Sequence, residues 1–182
     1  MKQMNQFFKR AALLLMPLFL FAAVVTAQDK KSVRIASDSR KAKSEFIKTD
    51  KLMQSLFNNA YGYVIFPNVG KAGAGVGGAA GNGIVYEKGN PVGDAKLKQL
   101  SVGLQMGGQL YSEVIFFESK DALNKFKDGK FEFSGQASAV AVKAGASANV
   151  KYREGVLVFT KAKGGLMYEA ALGGQKFSYD AF

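Results

Sequence analysis

The spacing of apolar residues changes twice along the chain. Ala11 to Val25 is an apolar run that follows Lys2, Lys9 and Arg10 and is interrupted by Pro17. It is short for a membrane span, and Val25-Thr26-Ala27 puts small residues at a cleavage site. Residues 1–27 are thus predicted to be a secretory signal peptide cut after Ala27. From Gln28 to Asn59 the spacing turns helical. Leu52, Met53, Leu56, Phe57 and Ala60 share one face behind a cap at Thr49 or Asp50, and Ile35, Ala42 and Phe46 form a sparser face before it.

From Tyr61 onward the period is two. Tyr63 to Phe66, Ser101 to Gly107, Tyr111 to Glu118, Lys130 to Phe133, Gly155 to Thr160, Leu166 to Leu172 and Lys176 to Tyr179 read as strands. The polar stretch Lys88 to Asp94 reads as a turn. One short helix interrupts the strands, with Ser119 as N-cap, Asp121 in the first turn, Leu123 and Phe126 on its face and Gly129 as its stop. With the run Ile84 to Tyr86 and the small-residue tract Gln136 to Val150, eight to ten short strands result. The pattern predicts an α+β fold: N-terminal helices packed on a curved, mostly antiparallel Gly-rich β-sheet or barrel-like sandwich.

Tyr61 to Tyr86 is the most unusual stretch. Two apolar runs flank a glycine and alanine tract from Gly70 to Gly83. In an extended strand Gly73, Gly75 and Gly77 fall on one face, and Gly103 and Gly107, with Gln105 between them, repeat the pattern. A face without side chains lets another layer or a ligand lie directly on the sheet. The tract contains G-x-G-x-x-G, but it runs into the strand Ile84-Val85-Tyr86 instead of a helix, and Lys98 stands where a ribose-binding acid belongs. A dinucleotide site is therefore not expected.

Composition narrows the chemistry. The 182 residues contain no cysteine and no histidine. Zinc and thiol chemistry are closed, and so is the commonest general base; no metal, cofactor or catalytic residue is expected. The net charge of +11 favours anionic partners. With an export signal, a phospholipid or membrane surface suits this charge and nucleic acid does not. The basic residues gather before the strands, at Lys30, Lys31, Arg34, Arg40, Lys41, Lys43, Lys48 and Lys51, with Lys71 in the glycine tract. On one helix face they form a head-group surface; on an ordinary helix the same residues only solubilise it.

The ordered blocks A-Y-G-Y-V-I-F-P-N-V-G-K-A-G-A-G-V-G-G-A-A-G-N-G-I-V-Y, S-V-G-L-Q-M-G-G-Q, V-I-F-F, F-K-D-G-K-F, A-S-A-V-A and K-G-G-L-M, spread over Lys48 to Asp180, resemble the SYLF domain family. The resemblance implies a lipid-binding module. Eukaryotic members bind phosphoinositides with help from a basic N-terminal region, a yeast branch is named for actin binding, and bacterial members are exported. This chain is shorter after Tyr86 and interleaves acids in its basic arm. What carries over is binding of anionic phospholipid or acyl chains.

The resulting expectation is a signal peptide over 1–27, a basic helical arm over 28–47 and a SYLF-like lipid-binding domain over 48–182. The protein is read as exported, non-enzymatic and periplasmic or envelope-associated. Its head-group residues are the nine basic residues named above. Gly73, Gly75, Gly77, Gly103, Gln105 and Gly107 form a lipid groove or a close-packing surface. The alternatives are an envelope structural protein that binds a protein partner and a small outer-membrane β-barrel.

Overall fold

A computed structural model describes residues 30–131, 133, 138–163, 170–172 and 174–182. The predicted signal peptide lies outside them. The chain divides at Arg34/Ile35 into two compact units. In the first, residues 30–34 are helical; in the second, residues 35–49 are helical and are called α1. The second unit is Ile35–Phe182 and holds the elements described below.

The order of elements after α1 is α2 (Met53–Asn59), β1 (Gly62–Glu87), β2 (Asn90–Phe117), α3 (Lys120–Lys127), β3 (Ser138–Ala141), β4 (Val156–Ala162), β5 (Ala170–Ala171) and β6 (Gln175–Ala181). The strands form one sheet with the path β1-β2-β4-β3-β5, and β6 also pairs with β2. Every pairing is antiparallel except β3 with β4. The α+β reading therefore holds, with an open sheet rather than a closed barrel. The outward positions on the β2–β6 pairing are exposed and mostly charged or polar: Lys96, Lys98, Lys176, Ser178 and Asp180.

The strands are fewer and longer than expected. β1 and β2 have 26 and 28 residues and form one hairpin. Register shifts at Phe66/Val69, Ala74/Val76 and Val85/Tyr86 bend this hairpin without ending it, as bulges do. The turn is also tighter than the polar stretch suggested. Only Lys88 and Gly89 form it, at φ 49° and 83°, the positive pair that a two-residue hairpin requires. Lys130 to Phe133 does not restart the sheet, since residues 130, 131 and 133 are not strand.

The bend folds β1 against itself. A Cβ on Gly83 would stand 2.5 Å from the Ile65 carbonyl oxygen, and one on Gly62 would stand 2.8 Å from that of Tyr86. Glycine is required at both, because backbone occupies the side-chain position.

Two cores result, one on each face of the sheet. On one face Ala42 and Phe46 of α1 and Met53 and Phe57 of α2 pack on Tyr63, Ile65, Ile84, Val114, Phe116 and Phe159. The other face is enclosed by the curl of the sheet and by α3. There Val64, Phe66, Ile115, Phe117 and Val158 meet Leu123, Phe126 and Phe177. The α3 cap is as predicted: the Ser119 hydroxyl oxygen accepts from the Ala122 N–H at 3.2 Å. Gly129, at φ 67°, follows the helix.

Candidate functional site

The space where the two cores meet at the β3–β4 edge of the sheet is not filled. A cavity of about 880 Å³ opens where β3, β4 and the segment before β4 meet Phe131 and Phe133. Its floor is Ala139, Val140, Val156, Leu157, Val158 and Leu172, and its aromatic walls are Phe131, Phe133 and Tyr152. This volume is within the range of small-molecule sites.

Local sequence accounts for the opening. Val140 of the Ala-rich tract pairs with Phe159, and Ala141 with Thr160, which brings small side chains against a strand of large ones. Phe131 and Phe133 meet edge to face with ring centroids 4.9 Å apart, and both lie against Phe177, at 6.2 and 5.9 Å. They form a wall held from behind and do not fill the space in front.

The mouth is charged. Lys151, Arg153 and Glu154 line it and are exposed. A tight turn sets them: Arg153 bridges to Val156, with Glu154 and Gly155 between at φ 52° and 77°. The Gly155 carbonyl accepts from the Glu118 N–H at 2.9 Å, which fixes the turn beside α3. Burial, then the Glu118 charge, raises the Tyr152 phenol pKa, so this wall carries a neutral hydroxyl. The site pairs an apolar interior with two cations and one anion at its mouth. This arrangement has no nucleophile–base pair. It suits an amphiphile with an apolar tail and a negative end.

The residues singled out in the sequence are distributed differently. In the first unit Lys30, Lys31 and Arg34 are exposed. In the second, Arg40, Lys41, Lys48 and Lys51 are exposed and Lys71 is partly so. Lys43 turns inward instead: its Nζ lies 3.0 Å from the Tyr63 hydroxyl and 4.8 Å from the Phe57 ring centre, and burial lowers its pKa. Its partly buried side chain packs on the helix–sheet core. Gly73 pairs with Gly107 and Gly77 with Ser101, and Gly75 falls at the Ala74/Val76 register shift opposite the stretch that holds Gly103 and Gln105. The side chains over 101–107, which would decide between groove and packing, lie outside the described residues.

Nothing in the sequence reading pointed to the cavity. Its residues come from four separate stretches, 131–133, 139–140, 149–158 and 172, so no local spacing marks it. The one available signal was the juxtaposition of an alanine tract with the aromatic pair Phe131 and Phe133. Among the described residues no group of three or more metal-ligating side chains occurs, and no helix is long and apolar enough to cross a membrane.

Comparison with known proteins adds two findings. The chain is 26% identical over 160 residues to Beta cell expansion factor A of Aeromonas veronii, covering 87% of this chain and 56% of that protein. It therefore spans about half the length of that relative. Residues 98–181 match the Ysc84 family model, described as Las17-binding protein actin regulator. That region, which holds β6 and the cavity lining, is similar to the Ysc84 (SYLF) family, in agreement with the resemblance read from the sequence blocks.

Proposed function

We propose that the protein is an exported, non-enzymatic lipid-binding protein of the cell envelope. It takes an acyl chain into the cavity and meets the anionic end with Lys151 and Arg153. The observation that carries this reading is the cavity itself, whose interior is apolar while two of its three charged rim residues are cationic. Lys30, Lys31, Arg34, Arg40, Lys41, Lys48, Lys51 and Lys71 contribute attraction to an anionic surface, and salt screens that contribution. Similarity to the Ysc84 family over residues 98–181 supports a domain of the lipid- and actin-binding type.

The test is titration of a fluorescent fatty acid into the protein, alongside co-sedimentation with anionic vesicles. Reversing Lys151→Glu and Arg153→Glu changes exposed side chains, so folding is retained. Fatty-acid binding is expected to weaken by about tenfold or more, since each basic residue near an anionic group contributes about 1 kcal/mol. A wild-type protein that binds no fatty acid, or a double variant that binds as well, refutes the cavity reading.

A further inference from the structure

A second cleft, of about 480 Å³, lies between α1 and the end of β4. Asp38, Lys41 and Glu45 line it from α1, Asn68 from β1, and Lys161 and Lys163 from the end of β4. Its floor is closed, because the buried Ser112 hydroxyl donates to the Pro67 carbonyl at 2.8 Å. The charges pair loosely: Lys161 Nζ is 3.4 Å from Glu45 Oε2 and Lys41 Nζ is 3.9 Å from Asp38 Oδ1. Lys163 donates to the neutral amide oxygen of Asn68 at 2.7 Å.

We infer that this cleft is a binding site for a phosphoethanolamine group, with the phosphate against Lys161 and Lys163 and the primary ammonium against Asp38 and Glu45. Three cationic and two anionic groups line it, so an ion of one sign meets repulsion from the other set. A zwitterion satisfies both. The two existing pairs are long and partly exposed, and such pairs contribute little. Exchanging each for a ligand group keeps both carboxylates paired and gives Lys161 and Lys163 a shared counter-charge, while the exposed Lys41 is left to water. Lys163 gains most, because its bond to Asn68 supplies no counter-charge. Burial lowers its pKa, with Asp38 and Glu45 opposing the shift and Lys161 adding to it. The ammonium must be a primary one. Carboxylates accept N–H bonds, which a quaternary ammonium lacks, and among the described residues the cleft has no aromatic ring to hold such a group by its face.

The lipid reading enters only as one source of this group, and soluble probes test the site without it. Glycerophosphoethanolamine and glycerophosphocholine are titrated into ¹⁵N-labelled protein, and vesicles of equal anionic content carry either phosphatidylethanolamine or phosphatidylcholine. The ethanolamine probe is expected to shift the Asn68 and Ala162 amides and to bind about tenfold tighter than the choline probe. The double variant Asp38→Asn, Glu45→Gln loses that preference, and Lys161→Met with Lys163→Met loses response to both probes. Equal binding of the two probes, or a preference that survives in the Asp38/Glu45 variant, overturns the inference. Vesicles that bind equally with either lipid place the failure in this site and leave the lipid reading intact. A normal response to the soluble group with no vesicle binding supports the site and refutes the lipid reading.

Discussion

The two faces of the sheet are finished in opposite ways. The face under α1 and α2 is sealed by rings in edge and stacked contact. Phe57 stands 4.8 Å from Phe116 and 5.1 Å from Tyr63, and Tyr63 stacks on Tyr86 at 4.8 Å. Its polar groups are few and paired, as where the buried Ser39 hydroxyl donates to the Ile65 carbonyl at 3.4 Å. The enclosed face holds a fully buried carboxyl, Glu113, beside its apolar cluster, and at the β3–β4 edge, where its Ala139, Val156, Val158 and Leu172 meet Val140, Val150, Tyr152 and Leu157 of the other core, it opens into the 880 Å³ cavity. One face supplies stability. The other gives up part of its packing and leaves room for a ligand.

The largest expected effect tests the sealed face. Phe116 is fully buried and touches Phe57, Tyr63 and Phe159. Phe116→Ala is expected to cost about 3–5 kcal/mol in urea unfolding, since rigid rings cannot collapse into the space. Val158→Ala, on the cavity floor, should cost less than about 2 kcal/mol, because part of its surroundings is already empty. Equal costs at the two positions would remove the distinction between the faces.

A smaller effect tests the enclosed face. Burial raises the Glu113 pKa to about 7, against the opposing effect of the hydrogen bond from Gln175 Nε2 at 3.2 Å. Glu113 Oε1, Thr160 Oγ1 and Gln175 Oε1 have no hydrogen-bond partner among the described residues. A protonated carboxyl brings a donor to a place rich in acceptors. The folded state holds this proton more tightly than the unfolded chain, whose value is near 4.5. The stabilising contribution is therefore fully present below pH 4.5, falls as pH rises and is gone above about 7. A shift of this size corresponds to about 3 kcal/mol. Urea unfolding from pH 4.5 to 8 should show the decline, and Glu113→Gln should flatten it. A variant with the same slope as the wild type would remove Glu113 as its cause.

Much of this architecture could be read from the chain. The face of Met53 and Phe57, the Ser119 cap and the change from helical to two-residue spacing all follow from local rules, and the structure keeps them. The strand count did not follow. Glycines and bulges interrupt the apolar runs but not the hydrogen-bond ladder, so the runs at Tyr63 and Ile84 merge in β1 and those at Ser101 and Tyr111 merge in β2. Glu113 left a trace, since it takes an inward position between Tyr111 and Ile115. Spacing alone, however, does not tell a buried carboxyl from an edge one. The cavity was not legible, because it depends on how four distant segments fail to fill a volume. Neither Thr49 nor Asp50 caps α2, whose N-cap is Leu52 with no side-chain cap hydrogen bond, and the role of Asp50 was not legible for a related reason. It looks like a local helix cap, and its Oδ1 does accept from the Leu52 N–H at 3.1 Å, but its other oxygen reaches 97 residues along the chain.

Asp50 offers the smallest effect and the closest link between the two faces. Its Oδ2 accepts from the Ser147 N–H at 2.8 Å and from the Ser147 hydroxyl at 2.7 Å. Burial alone would raise its pKa, but the Ser147, Leu52 and Gly145 hydrogen bonds outweigh that and hold it below the ordinary value. Its contribution is thus present above pH 4 and lost as pH falls through the lowered value, opposite in sign to that of Glu113. The bond ties the start of α2, on the sealed face, to the turns over 144–149, which lead directly into Asn149, Val150 and Lys151 of the cavity wall. Asp50→Ala is expected to cost about 1–3 kcal/mol, the range for leaving buried donors unpaired. Exchange of the Ser147 amide hydrogen should accelerate more than that of Phe116. If the sealed face anchors the wall of the open one, fatty-acid binding weakens in this variant while Phe116 stays protected. Unchanged binding with fast exchange at Ser147 would show that the two faces act independently.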